Sequence, residues 1–297
     1  MKRAAAGESA EQAGLTWHVY SASARGALHD TAGLPNQDST YYLAPSAPGG
    51  GSLCAAVADG HGDQRHFRSS RGSQLATSIA CTVAMRHASE IGGLNQAAVV
   101  EEFAGTAIVA EVVDRWNEAV LDDLSQFPLT RPESTAMTEG GGATVPYGST
   151  LLLAVISGTW LVLLQIGDGD ILIIGSDGKT VVPVPGDPLL DGRITTSLCS
   201  SSAVHLFRSA VVDLERTDVV AVVLASDGFG NAQSEDDWQP VVGRDVARLI
   251  GDFGHRWVGE HLWDWADRCA SSDGSGDDTS LVFMLRGSGA PEQSEAG

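Results

Sequence analysis

Apolar and polar positions follow two rhythms along this chain. Residues 16–23 alternate, with Trp17, Val19 and Ser21 in phase, which predicts a first strand, and the short apolar run 53–58 predicts a second. Between 70 and 87 the period lengthens: Leu75, Ile79 and Val83 stand at i, i+4 and i+8, which predicts a helix. A second helix is predicted over 96–124, with Val99, Phe103, Ala110, Val113 and Leu121 on one face. Residues 127–147 are rich in Pro, Thr, Glu and Gly, including Gly140, Gly141 and Gly142, and predict a loop. Strands follow at 149–156, 160–166 and 170–174, separated by Ser157-Gly158 and by residues 167–169, both short enough for hairpins. A strand at 219–225, helices at 244–252 and 257–269, and a last strand at 280–285 complete the pattern. Helices grouped in blocks, with strands joined by hairpins, predict an α+β layered fold and not a βαβ parallel sheet.

Composition narrows this picture. At 297 residues, 43% apolar, with 35 glycines, the chain can bury a sizeable core with many tight turns. We expect one domain over 14–286, with disordered segments at 1–13 and 287–297. A formal charge of −20 offers no basic patch for nucleic acid or an anionic membrane. Cys54, Cys81, Cys199 and Cys269 form no CxxC pair, so neither a zinc site nor a disulfide framework is expected. No apolar run has the length of a membrane span, and the polar stretch after Lys2 and Arg3 is not a signal-peptide core. The expected location is the cytoplasm.

Candidate chemistry lies in short Asp-bearing motifs. They are Asn36-Gln37-Asp38, Asp59-Gly60-His61-Gly62, Gly167-Asp168-Gly169-Asp170, Ser226-Asp227-Gly228 and Gly276-Asp277-Asp278-Thr279. Asp-Gly alone is a turn sequence, and Asp177-Gly178, Asp191-Gly192 and Asp273-Gly274 read as turns. Asp59 and Asp227 differ because each directly follows a β-type apolar run. A strand ending in Asp-Gly delivers a carboxylate to the rim of a sheet, and several such strands can gather carboxylates around Mg²⁺ or Mn²⁺. Two other patterns fail on inspection. Gly175 to Thr180 lacks the glycine a phosphate loop needs at position 173, which is Ile, and Asp168-x-Asp170 has Leu172 where a calcium loop needs a ligand.

Taken in order, these motifs and Gly148-Ser149-Thr150 resemble the protein phosphatase type 2C family of metal-dependent serine/threonine phosphatases over roughly residues 16–286. The chain most resembles the bacterial branch with His…Gly-x-Pro-x-Gln-Asp, here His29, Gly33, Pro35, Gln37 and Asp38. The resemblance implies a four-layer α/β/β/α sandwich, two antiparallel sheets flanked by helices, with a binuclear Mn²⁺ or Mg²⁺ centre at one edge and a third, weaker metal site. It implies Asp59 as the bridging carboxylate, Gly60 as a carbonyl donor, Asp227 and Asp277 as direct ligands, Asp38 as a holder of metal-bound water and Asp168 at the additional site. A metal-activated water would then attack the phosphorus of phosphoserine or phosphothreonine. His61 matches the family's proposed general acid, as an imidazolium protonating the leaving alkoxide. The implied partner is a phosphorylated protein, in opposition to a Ser/Thr kinase in bacterial signal transduction.

The chain departs from the family at two positions. Gly33 stands where members often carry a phosphate-gripping Arg, and Gln37 where an acidic residue is usual. Arg65, Arg68 and Arg71 are candidates to hold phosphate instead, with Arg25 and His29 also near the motifs. Thr195 to Cys199 falls where members carry a variable flap, and Trp257, Trp263 and Trp265 read as helix packing. Two other functions fit the same residues. One is a pseudophosphatase that binds phosphoproteins without hydrolysing them, and the other a hydrolase of small phosphoesters.

Overall fold

The computed structural model describes residues 8–12, 15–44, 51–138, 142–190, 195–234 and 237–287. The chain runs β1 (Glu8–Gln12), β2 (Leu15–Ala24), α1 (Ala27–Ala32), β3 (Ser39–Leu43), β4 (Leu53–Ala58), α2 (Ser69–Gly93), α3 (Ala97–Phe103), α4 (Val109–Gln126) and α5 (Arg131–Thr138). It continues through β5 (Leu151–Ser157), β6 (Trp160–Ile166), β7 (Asp170–Ile174), β8 (Thr180–Val181), α6 (Ala203–Leu206), β9 (Arg208–Asp213), β10 (Ala221–Ala225), α7 (Asp227–Asn231), α8 (Gln239–Ala270) and β11 (Thr279–Gly287).

The strands form two antiparallel sheets, ordered β1-β2-β11-β10-β7-β8 and β3-β4-β5-β6-β9. Strand parity explains their layering. Leu53, Ala55 and Val57 of β4, Leu152, Ala154 and Ile156 of β5, Val222 and Leu224 of β10, and Val282 and Met284 of β11 meet between the sheets. The alternate residues Cys54, Ala56, Leu151, Leu153 and Val155 pack outward against α2 and α4. Ala221, Val223, Ala225, Leu281 and Phe283 pack outward against α8. Both faces of each central strand are therefore covered, which is why these strands read as continuous apolar runs without polar alternation. The result is the expected four-layer α/β/β/α sandwich.

Several elements differ from their sequence-based expectation. The helix expected over 96–124 is α3 and α4 joined by a π-helical turn at Ala104–Ile108. That turn shifts the buried stripe to Val100, Ala104, Ile108, Val112, Trp116 and Val120, leaving Val99 and Leu121 42% and 53% exposed. The loop expected over 127–147 contains α5. The helices expected at 244–252 and 257–269 are two arms of α8, which meet at Gly254 in the left-handed region, φ 81°. Part of the segment expected to be disordered forms β1, which pairs with β2. Residues 1–7, 13–14 and 288–297, with Gly140, Gly141 and the Asp191-Gly192 turn, lie outside the described residues. Among the described residues, no helix is long and apolar enough to cross a membrane.

Candidate active site

Antiparallel pairing brings the motif-bearing strand ends to one edge of the sandwich. In one sheet Ala225 pairs with both Asp170 and Leu281, and Thr279 with Ala24. In the other, Ser39 pairs with Ala58, Val57 with Leu152, and Leu151 with Ile166. The ends of β4 and β10 thus deliver Asp59 and Asp227 beside the starts of β3 and β11, which carry Asp38 and Asp277. A cleft of about 580 Å³ opens there. Asp59, Gly60, His61, Asp168, Asp227 and Asp277 line it, and so do His29, Gln37 and Arg65.

Glycines allow the close approaches. A Cβ on Gly60 would lie 2.6 Å from the Gln37 carbonyl oxygen and 2.7 Å from Ser69 backbone atoms. The Asp59 loop is fixed by its own backbone: Asp59 N–H donates to Thr150 Oγ1 at 3.0 Å, Gly60 N–H to Gln37 O at 3.1 Å and His61 N–H to Gly148 O at 3.1 Å. A Cβ on Gly148 would stand 2.3 Å from His66 Nδ1 and 2.8 Å from His61 Cδ2, so its absence makes room for both imidazoles.

The carboxylates repel one another where water screens them poorly: Asp38 and Asp278 are buried, and Asp59 and Asp227 are half-buried. Burial, then the charges of Asp278 and Asp227, push Asp38 up to about 8 against the hydrogen bonds of Ser226 and Ser280. Burial also raises Asp59 well above the carboxylate range, with Asp38 and Asp227 adding to it. Asp227 is raised by burial too. Among the described residues, Asp38 Oδ2, Asp227 Oδ1 and Gln37 Oε1 are buried without a hydrogen-bond partner. Buried, mutually repelling, orphaned oxygens are the donor set that a hard divalent cation satisfies. Among the described residues, no group of three or more His, Cys, Asp or Glu side chains is so placed that it could hold a metal ion as it stands.

The structure separates the cationic candidates. Arg68 Nε donates to Glu133 Oε1 at 2.9 Å, and its NH1 to Phe127 O at 2.8 Å and Tyr147 Oη at 2.9 Å. Arg71 Nε donates to Asp123 Oδ1 at 2.8 Å, and Tyr147 Oη donates to Asp123 Oδ2 at 2.7 Å. Both arginines pin the 127–147 segment and α4 to the start of α2, which corrects the expectation that they hold phosphate. Arg25 pairs with Asp30 at 3.2 Å. Arg65 reaches the cleft with a 57% exposed side chain, which among the described residues is tied only to Asp63, at 3.4 Å. Position 33 lacks an arginine because Gly33 ends α1 in the left-handed conformation, φ 69°.

In the free protein, burial and the neighbouring His66 push His61 down to about 4, so its ring is neutral at pH 7. The flap segment does reach the site: Thr195, Ser197 and Cys199 line the cleft, and Thr195 Oγ1 donates to Asp168 Oδ2 at 2.5 Å. The sequence reading missed His66 and Asp278. His66 Nδ1 lies 2.5 Å from Val145 O, and the Asp278 side chain is only 3% exposed. The signal for Asp278 was its place beside Asp277 at a strand start.

Comparisons agree with this fold. A family model described as Protein phosphatase 2C matches residues 25–262. A bacterial serine phosphatase superposes with a TM-score of 0.59 at 12% identity, over 90% of this chain and 96% of that one. Stp1 from Staphylococcus aureus, a serine/threonine phosphatase, gives 0.59 at 13% identity, over 90% and 94%. The catalytic domain of the serine threonine protein phosphatase PstP, solved with two manganese ions, gives 0.52 at 18% identity, over 92% and 100%. No curated protein sequence matches the chain. At these identities the superpositions establish a shared fold, while the family assignment rests on the model match over most of the sequence. The chain belongs to the protein phosphatase 2C family.

Proposed function

We propose that the chain is a metal-dependent protein serine/threonine phosphatase, acting in the cytoplasm on phosphoproteins made by a Ser/Thr kinase. The observation that carries this reading is the group of buried and half-buried carboxylates at the sandwich edge, with the buried atoms Asp38 Oδ2 and Asp227 Oδ1 left without hydrogen-bond partners among the described residues. Asp59, Asp227 and Asp277, with the Gly60 carbonyl, would hold two Mn²⁺ or Mg²⁺ ions, Asp38 would fix water beside them, and Asp168 would serve a third, weaker site. The bound ions would lower the pKa of a water and offset charge on the phosphoryl oxygens.

The chain's own side chains supply the rest. Arg65 lines the cleft, and its one ion pair among the described residues is an exposed one with Asp63; such pairs contribute under about 1 kcal/mol. Its guanidinium can therefore leave Asp63 and grip a phosphoryl group. His61 stands on the cleft wall as a neutral imidazole in the free protein. A phosphate dianion beside it opposes the downward push of burial, and the ring can then carry a proton to the departing serine or threonine oxygen.

The test pairs calorimetry with turnover. Metal-free protein should take up two Mn²⁺ ions, and the loaded protein should release phosphate from phosphothreonine peptides faster than from small phosphoesters. Two ions bound without turnover on a broad peptide panel would replace this reading with the pseudophosphatase. Faster turnover of small esters would replace it with a small-molecule hydrolase.

A further inference from the structure

His29 is the one imidazole on the cleft wall that a buried carboxylate holds in place among the described residues. Asp278 accepts Gly26 N–H at 2.7 Å on Oδ1, and Gln37 N–H at 2.6 Å and His29 Nδ1 at 2.7 Å on Oδ2. Both Asp278 oxygens already accept backbone N–H groups, so Asp278 serves here as an acceptor: Nδ1–H donates to Oδ2, and Nε2 presents its lone pair. The backbone fixes where that lone pair lies. Leu28 N–H donates to Gly276 O at 2.9 Å, and a Cβ on Gly26 would sit 2.4 Å from the Asp277 carbonyl carbon. The turn that carries His29 is thus locked against the loop that carries Asp277.

Nε2 lies 3.9 Å from Asp277 Oδ1. That is too far for a hydrogen bond. It is shorter than two metal–ligand bonds of about 2.1 Å laid end to end, so one ion can touch both atoms. A ligating histidine characteristically donates its other ring N–H to a carboxylate, as His29 does to Asp278. On the same wall Gln37, 7% exposed, leaves its buried Oε1 without a partner.

We propose that His29 Nε2 is a ligand of the divalent cation held by Asp277, a nitrogen position in an otherwise oxygen-lined centre that favours Mn²⁺ over Mg²⁺. The inference rests on the phosphatase reading only in requiring that the carboxylates bind metal. Imidazole nitrogen adds affinity for a transition ion and little for Mg²⁺, which takes oxygen ligands and sheds water reluctantly. Asp278 then acts through His29 as a positioning residue, since it fixes the tautomer. Gln37 in place of an acidic residue removes one negative charge from the same wall, so the neutral nitrogen and amide take the place of carboxylate chemistry there.

The test uses the metal-free full-length chain and Mn²⁺ alone, read by electron spin-echo modulation. The wild type should show coupling to a directly bound ¹⁴N. His29→Asn keeps a side-chain N–H at the position of Nδ1 but has no counterpart of Nε2. It should lose the coupling, and its Mn²⁺ affinity should fall about tenfold or more, within the range seen when a metal's outer partners are removed. Mg²⁺ affinity should change less than Mn²⁺ affinity. His61→Ala should keep the coupling. Bound Mn²⁺ without nitrogen coupling in the wild type would overturn the inference and leave the carboxylate centre standing, with His29 then facing phosphate. A wild type that binds no Mn²⁺ would overturn both readings.

Discussion

Asp38 gives the most quantitative handle on the site. Its carboxyl is pushed from 3.8 up to about 8, chiefly by burial and then by the charges of Asp278 and Asp227. In metal-free protein the folded chain therefore keeps a proton that the unfolded chain releases above pH 4. The sign follows directly. Where the folded state binds more protons, stability falls as pH rises, by about 1.4 kcal/mol per pH unit for one proton. The stabilisation is fully present below pH 3.8 and is lost as pH rises to about 8, on the order of 5 kcal/mol in all. Asp59 and Asp227 are raised as well and add to the same slope. Asp38→Asn removes its own proton and also relieves Asp59, which feels its charge, so both effects flatten the dependence. The assay is urea denaturation of metal-free protein between pH 5 and 8. The variant should lose less stability than the wild type across that range, and saturating Mn²⁺ should restore the wild type most at pH 8, where the ligands are deprotonated. A metal-free wild type as stable at pH 8 as at pH 5, or a variant with an equal slope, would refute the electrostatic argument.

Other substitutions separate structural from functional cations. Arg68→Ala strips Glu133, Tyr147 and the Phe127 carbonyl of a donor and should cost about 2 kcal/mol in thermal unfolding. Arg65→Ala should change stability by less than about 0.5 kcal/mol, as exposed sites do, yet raise KM for a phosphopeptide. Gly148→Ala drives a Cβ into His66 and His61, and should lower kcat on phosphopeptides by about tenfold or more, a barrier change of about 1.4 kcal/mol. His61→Ala should slow an alkyl phosphate ester more than an aryl ester, whose leaving group needs less protonation.

The fold was most legible where burial was complete. Residues 160–166 and 170–174 were read with the bounds of β6 and β7 because their apolar runs stop at glycine turns. The edge strands β3 and β9 were missed because no residue in either is fully buried, so no apolar run marks them. The π-helical turn before α4 left no period to follow, and it moved Leu121 off the buried face. Helix α5 did carry a signal: Thr130 N–H donates to Glu133 Oε2 at 2.7 Å, the reach of a capping box Thr-x-x-Glu. In the site, the strand-end carboxylates could be placed because register is local. The fates of Arg68 and Arg71 could not, because their partners Glu133 and Asp123 lie 65 and 52 residues away in the chain. The charge of His61 in the free protein was not legible for a similar reason, since it is set by burial beside His66, which the motif does not show.

The central claim is that Asp59 and its neighbours hold the cations that drive phosphoester hydrolysis. Phosphate release from a phosphothreonine peptide, measured against Mn²⁺ concentration for the wild type and Asp59→Asn side by side, tests it most directly. The account predicts a saturable rise with Mn²⁺ in the wild type, abolished by chelation, and none in the variant. Equal metal-stimulated rates in the two proteins, or no stimulation of a folded wild type on any peptide, would contradict it.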